Sequence, residues 1–196
     1  MTCSTYKSFV GPAGGLVLTN EPELAERLDR IAYPGLTANF DLPRIAALVV
    51  AASDMLEFGT EYARTCIANA RALAAALAER KAAVHGPPER GYTLSHHVAL
   101  RAADYGGGTT ASRRLERANL LTSGIGLPVA EFSGDYNGLR MGTQEVTRWG
   151  ILPEDMPMVA ELLCRVLVGG EEPESVRADV IDFRGRFQEL GFVIAY

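Results

Sequence analysis

Lysine is nearly absent from this sequence. Of 19 basic residues only Lys7 and Lys81 are lysines, and the other 17 are arginines. Such a bias replaces lysine wherever charge alone matters. The lysines that persist draw attention, because a guanidinium stays protonated and forms no Schiff base. Cysteine is scarce as well. Cys3, Cys66 and Cys164 are odd in number and widely spaced, which argues against a disulfide framework and for a reducing compartment. No histidine neighbours any of them in sequence, so buried or incidental thiols outweigh a catalytic cysteine. Positive charge is not in excess: the net charge is −5, and no basic stripe points to nucleic acid or an anionic membrane. Long apolar runs are missing too. The longest, Ile45 to Ala52, is far too short to span a bilayer. No charged, then apolar, leader pattern follows Met1, so a cytoplasmic protein is the default expectation.

What is present suits a globular fold. The 196 residues are 47% apolar, enough for one large domain or two small ones with a real core. TCST and LVLT read as short strands around the turn-forming GPAGG. Asn20 is placed to cap a helix with Pro22 in its first turn, running through Leu24, Leu28 and Ile31 and stopping at Pro34-Gly35. After the loop LTANFDLP, two helices are expected, from about Arg44 to Phe58 and from Thr60 to Arg80. The second carries Tyr62, Cys66, Leu73 and Leu77 on one stripe. Turn formers cluster in HGPPERG, and TLSHHVALRA then reads as a strand. A short helix around ASRRLERA, a Gly- and Ser-rich stretch and two closing helices complete a mixed α/β chain. A boundary is expected near residue 83.

Two segments carry candidate chemistry. In STYKSFVGPAGG, Lys7 lies between a strand and a glycine-rich turn, where a rigid edge can project an amine. Pyridoxal phosphate needs an amine in such a place, and a solvated surface lysine is the plainer alternative. In NGLRMGTQEVTRWG, Arg140 follows an Asn-Gly turn. A guanidinium there can hold a carboxylate through two parallel hydrogen bonds, and a structural ion pair is the alternative. His96 shares a strand face with Val98 and Leu100 and reads as a core histidine, while His97 points the other way. Ser123-Gly124-Ile125-Gly126 lacks the context of a nucleophile elbow or a phosphate loop, and no ligand spacing suggests a metal.

Together the two segments resemble the serine hydroxymethyltransferase family. STYKSFVGPAGG is similar to that family's TTHKTLRGPRGG, and NGLRMGTQEVTRWG to its SGIRIGTPAVTTRGF. The likeness covers roughly residues 2 to 165 in the family's order. The resemblance implies the aspartate-aminotransferase-like fold type I of pyridoxal-phosphate enzymes, an α/β architecture. Residues 1–83 would be the C-terminal part of the large cofactor-binding domain, and residues 84–196 the small C-terminal domain. It implies that Lys7 holds pyridoxal 5'-phosphate covalently and that Arg140 binds the amino-acid carboxylate.

The departures from the family pattern are informative. Tyr6 stands where a histidine precedes the lysine. Thr37 to Phe40, TANF, replaces the family's QGGP, whose backbone N–H groups reach the cofactor phosphate of a neighbouring subunit; Ala38 and Asn39 can still donate through their backbones. LLTSGIGLPVAEFSGDYNGLR replaces the VNKNxxPxDP stretch, which puts a tetrahydrofolate role in doubt and favours folate-independent aldol or transaldol chemistry. The substrate implied is glycine, serine or another β-hydroxy-α-amino acid. Alternatives are another reaction such as transamination, and a non-catalytic subunit that kept the fold. The chain starts six residues before its lysine, so the family's other cofactor contacts are missing. The sequence is then either a fragment or one half of a split enzyme, and the split enzyme is the expectation, with a separate chain carrying the N-terminal half and an assembly of two plus two chains.

Overall fold

A computed structural model of the chain describes residues 1–195. They form two compact units. One comprises residues 1–59 with the C-terminal segment from Phe192, and the other residues 60–191.

The first unit opens with strand β1 (Thr2–Ser4), paired antiparallel with β2 (Gly15–Val17) so that Cys3 faces Leu16. The α-amino group of Met1 donates to the Leu18 carbonyl at 2.7 Å and closes the end of this ribbon. Helix α1 (Pro22–Arg30) follows. Its N-cap is Glu21 rather than the expected Asn20, and the cap makes no side-chain hydrogen bond; the Thr19 hydroxyl instead accepts the Glu21 N–H. The chain leaves α1 through a kinked segment, Ile31–Leu36, in which Tyr33 is extended (φ −138°, ψ 129°) just before Pro34. Proline cannot continue an α-helical ladder, and Thr37 beyond it is extended.

Helix α2 (Leu42–Glu79) is one element of 38 residues, where a break at Gly59 was expected. Glycine costs a helix interior about 1 kcal/mol relative to alanine, too little to interrupt a long run of good helix formers. Its first 18 residues belong to the first unit. They leave Leu42, Ile45, Val49 and Leu56 exposed, Leu56 to 90%, and the preceding Leu36 and Phe40 are exposed too. Asp54, by contrast, is buried and accepts the Ile194 N–H at 2.9 Å.

The second unit is built on a four-stranded antiparallel sheet of β3 (Val84–His85), β4 (His97–Arg101), β5 (Ser123–Ile125) and β6 (Gly138–Gly142), in the order β3-β4-β6-β5. Val98, Leu100, Leu139 and Met141 point to one face by strand alternation. They join a single core with Leu73 and Leu77 of α2 and residues of α3 (Gly108–Arg117), α5 (Met156–Leu167) and α6 (Pro173–Gly185). A short helix, α4 (Gln144–Arg148), follows β6. The compact units divide at Gly59, because Ala70 to Leu77 of α2 are part of this core. His96 is not a core residue. The Thr93 hydroxyl accepts the Ser95 N–H and the Ser95 hydroxyl accepts the His97 N–H, so this local turn delays the strand until His97 and leaves His96 half-buried outside it. Among the described residues no helix is long and apolar enough to cross a membrane, and no cluster of side chains could hold a metal ion.

Candidate active site

The Lys7 turn is fastened by Thr5, the residue that ends the first strand's approach. Thr5 is buried. Its N–H donates to the Gly14 carbonyl at 3.1 Å, its carbonyl accepts the Gly11 N–H at 2.7 Å, and its hydroxyl donates to the Pro12 carbonyl at 2.6 Å. One residue therefore ties the two sides of the turn together. Gly11 is required by close approach, since a Cβ there would lie 3.0 Å from the Thr5 carbonyl oxygen. The tip closes with the Val10 N–H on the Lys7 carbonyl at 2.9 Å.

Lys7 projects from this tip into solvent, with its Nζ 5.9 Å from the ring centre of Tyr6, also exposed. Among the described residues no carboxylate pairs with the amine. Ala38 and Asn39 lie in the same unit, exposed, just past the bend at Thr37, whose N–H and hydroxyl both donate to the Ala32 carbonyl. Neither residue's N–H has a partner among the described residues, so both remain available to an anionic group. A rigidly based amine and spare backbone donors are what a phosphate-bearing aldehyde cofactor requires, and the residues present fit it.

Arg140 lies in the second unit, at the centre of β6. It faces Ala99 of β4 on one side and Ser123 of β5 on the other, and Ala99 in turn faces His85 of β3. These four residues form one row across the sheet, on the face opposite the core. Alternation places His97 on that face as well, diagonal to Arg140. A cleft of about 390 Å³ opens there, lined by His85, Tyr92, His97, Ala99, Ile125 and Arg140 among others. Burial pushes the His97 imidazole below its ordinary value, with the neighbouring His96 and Arg140 adding to the effect; burial and Arg140 do the same to His96. Both rings therefore favour the neutral form beside a fixed cation.

The strand carrying Arg140 is pinned at both ends. Before it, the buried Asn137 amide donates to the carbonyls of Leu127, Val129 and Ala130, and its oxygen accepts the Leu127 N–H at 2.7 Å. After it, the Thr143 hydroxyl donates to the Cys66 carbonyl at 2.7 Å and the Tyr62 hydroxyl to the Gln144 carbonyl at 2.9 Å. Asn69, fully buried, donates to both the Thr147 hydroxyl and the Ile151 carbonyl at 2.8 Å. Burial raises the Tyr62 and Cys66 pKa values, so this anchor is uncharged. The motif RMGTQEVT is thus explained locally: it is a strand that exposes Arg140, then threonines that lock its end to α2.

Lys7, Tyr6, Ala38 and Asn39 belong to the first unit and Arg140 to the second. Local reading assigns no role to His97, His85, Tyr92, Ala99 or Ile125, because they reach Arg140 through strand pairing and its flanking turns, and pairing partners are not written locally.

Comparison with known proteins places these features in a family. The family model described as serine hydroxymethyltransferase matches residues 1–163. An α-methylserine aldolase from a Ralstonia species is 48% identical over 193 residues, covering 98% of this chain and 44% of that protein. A serine hydroxymethyltransferase from Staphylothermus marinus is 39% identical over 199 residues, covering 100% of this chain and 45% of the relative. The chain thus spans less than half the length of the curated relatives it matches. Among solved structures, an L-threonine transaldolase from Pseudomonas fluorescens has the same fold, with a TM-score of 0.84 at 24% identity over 98% of this chain and 44% of that one. The architecture is accordingly a mixed α/β segment of a fold-type I pyridoxal-phosphate enzyme, and the chain belongs to the serine hydroxymethyltransferase family.

Proposed function

We propose that this chain supplies the cofactor lysine and the carboxylate clamp of a pyridoxal-phosphate enzyme that makes or breaks the Cα–Cβ bond of a small β-hydroxy-α-amino acid. Lys7 holds the cofactor covalently, Tyr6 lies beside it, and Ala38 and Asn39 offer backbone N–H groups to the phosphate of the cofactor held by a neighbouring subunit. When bound, the cofactor acts as the electron sink for bond cleavage at the α-carbon. Arg140 fixes the substrate carboxylate through two parallel hydrogen bonds and so orients the bond to be broken. Within the whole enzyme, residues 1–83 complete the large domain and residues 84–196 form the small one. The observation that carries the proposal is the Thr5-fastened turn presenting Lys7, one of two lysines in the chain.

Within that chemistry, aldol or transaldol reaction without folate is favoured over folate-dependent hydroxymethyl transfer. The α-methylserine aldolases are 45–48% identical to this chain and the serine hydroxymethyltransferases 39–41%. The cleft beside Arg140 is also lined by Ile125, an apolar side chain with nothing to offer a pterin's polar edge. A non-catalytic role is a lesser reading, since it does not explain why Lys7 and Arg140 are both retained; transamination would use both groups, and it is disfavoured by the similarity to aldolases and hydroxymethyltransferases.

The remainder of the enzyme comes, in this proposal, from a separate chain carrying the N-terminal half, in an assembly of two plus two chains. The exposed Leu36, Phe40, Ile45, Val49 and Leu56 support it, because an apolar surface of that kind marks a covered interface. Borohydride reduction of the assembled enzyme and peptide mapping test the central claim. The pyridoxyl adduct belongs on Lys7, and an adduct on Lys81, or none, refutes it. Light scattering with an absorbance spectrum tests the assembly: a yellow, active homo-oligomer of this chain alone excludes a separate partner.

A further inference from the structure

Three features of the Arg140 face are not used by the carboxylate clamp. First, the residue directly opposite Arg140 is Ala99, whose single methyl leaves a gap between Arg140 and His85 across the row. Second, His97 sits diagonally from Arg140 on the same face, where Cβ atoms are about 7–8 Å apart. Both line the 390 Å³ cleft. Third, no hydrogen bond engages the His97 ring nitrogens among the described residues. The ring instead packs at a tilt against His96, with centroids 4.0 Å apart and planes at 46°, and the residue lines the cleft.

A carboxylate on the Arg140 guanidinium brings the rest of a small amino acid over Ala99, within reach of His97. A neutral imidazole carries one N–H donor and one acceptor nitrogen, which matches a hydroxyl group, itself one donor with acceptor lone pairs. Pro87, Tyr92 and Ile125 make the wall largely apolar, with His85 on the far side of Ala99 and Thr93 as its other polar side chains. We propose that His97 is a specificity-determining residue of this site, hydrogen-bonding the β-hydroxyl of the amino acid whose carboxylate Arg140 holds. The inference rests on the Arg140 reading above and adds the residue that distinguishes a β-hydroxy substrate from its deoxy counterpart. A half-buried polar group built to meet a hydroxyl selects against a ligand that lacks one, because its nitrogens are then left unpaired.

The test is a titration of the holoenzyme containing this chain with L-serine and with L-alanine, which differ only in the β-hydroxyl. The wild type binds serine more tightly. His97→Phe keeps a ring on His96 and removes both nitrogens, so it lowers the serine-to-alanine preference by about tenfold and leaves alanine affinity unchanged. His97→Gln, which keeps hydrogen-bonding groups, restores part of the preference and gives a second reading if the phenylalanine variant does not fold. Arg140→Lys weakens both ligands alike and preserves their ratio. An unchanged ratio in His97→Phe, with Arg140→Lys still weakening both ligands, overturns the role of His97 and spares that of Arg140. Equal weakening of both ligands in His97→Phe reveals a merely structural residue and also overturns it. Unaltered binding in Arg140→Lys removes the clamp and this inference with it.

Discussion

Ala99 and Arg140 face each other directly across the β4–β6 ladder, on the sheet face turned away from the core. The smallest side chain able to form a strand face stands opposite the longest cation, and the space so left is the floor of the cleft. Ala99→Leu should fill it. Amino-acid binding is expected to weaken at least about tenfold, through the steric cost of overpacking, while the melting temperature stays within a few degrees because the core face is untouched. A calorimetric titration and a thermal melt on the same protein check both halves. Unimpaired binding would show that the ligand does not lie over Ala99.

Asn69 is the hub of the anchor behind that strand. Asn69→Leu retains volume but leaves the Ile151 carbonyl without its side-chain donor, while the Thr147 hydroxyl loses an incoming bond and keeps its own to the Thr143 carbonyl. A loss of about 2–3 kcal/mol in unfolding free energy is expected, the usual cost of leaving buried polar groups unpaired. Part of it is offset because the Asn69 Oδ1 itself has no hydrogen-bond partner. Urea unfolding of wild type and variant gives the difference, and a value near zero would mean that α4 does not depend on this bond.

Acid should destabilise the second unit in two steps. His96 and His97 are held below their ordinary value of 6.5, chiefly by burial. The unfolded chain then binds more protons than the folded one, and stability falls as pH drops below about 6.5. Asp135 is held below the ordinary carboxylate range by hydrogen bonds from Thr109, Thr110 and Tyr136. Its contribution is complete above the ordinary value of 3.8 and is lost as pH falls through the lower folded-state value. Melting temperatures from pH 8 down to about 2 should show both declines, and His97→Phe should flatten only the upper one. A constant melting temperature from pH 7 to 5 contradicts the histidine assignment.

Folate provides a separate check. Retro-aldol cleavage of β-hydroxy amino acids should proceed at the same rate with and without tetrahydrofolate. A strict requirement for it would show that Ile125 and its neighbours accommodate the pterin after all.

The chain's local chemistry was readable and its pairing was not. The strands flanking GPAGG and the helix around ASRRLERA follow from glycine placement and apolar spacing, and they stand where expected. Gly59 was misread as a break, since helix propensity is a weak local preference that a 38-residue run overrides. His96 was assigned to the wrong environment because alternation was extended through Thr93 and Ser95, whose side chains bind the backbone. The short stretch Ser123 to Ile125 carried no motif, yet as β5 it forms the edge beside Arg140. The company of Arg140 depends on the order β3-β4-β6-β5, a long-range arrangement that no single segment encodes.

Thr5 has a wider implication. All three of its turn-closing hydrogen bonds stay within residues 5–14, so the loop that displays Lys7 draws its shape from its own sequence. Neighbours can therefore drift, as the substitution of tyrosine for histidine at position 6 illustrates, without redirecting the amine. The turn's internal bonds set the shape of the loop, and the close approach of Gly11 to Ala51 of α2 sets where that loop stands.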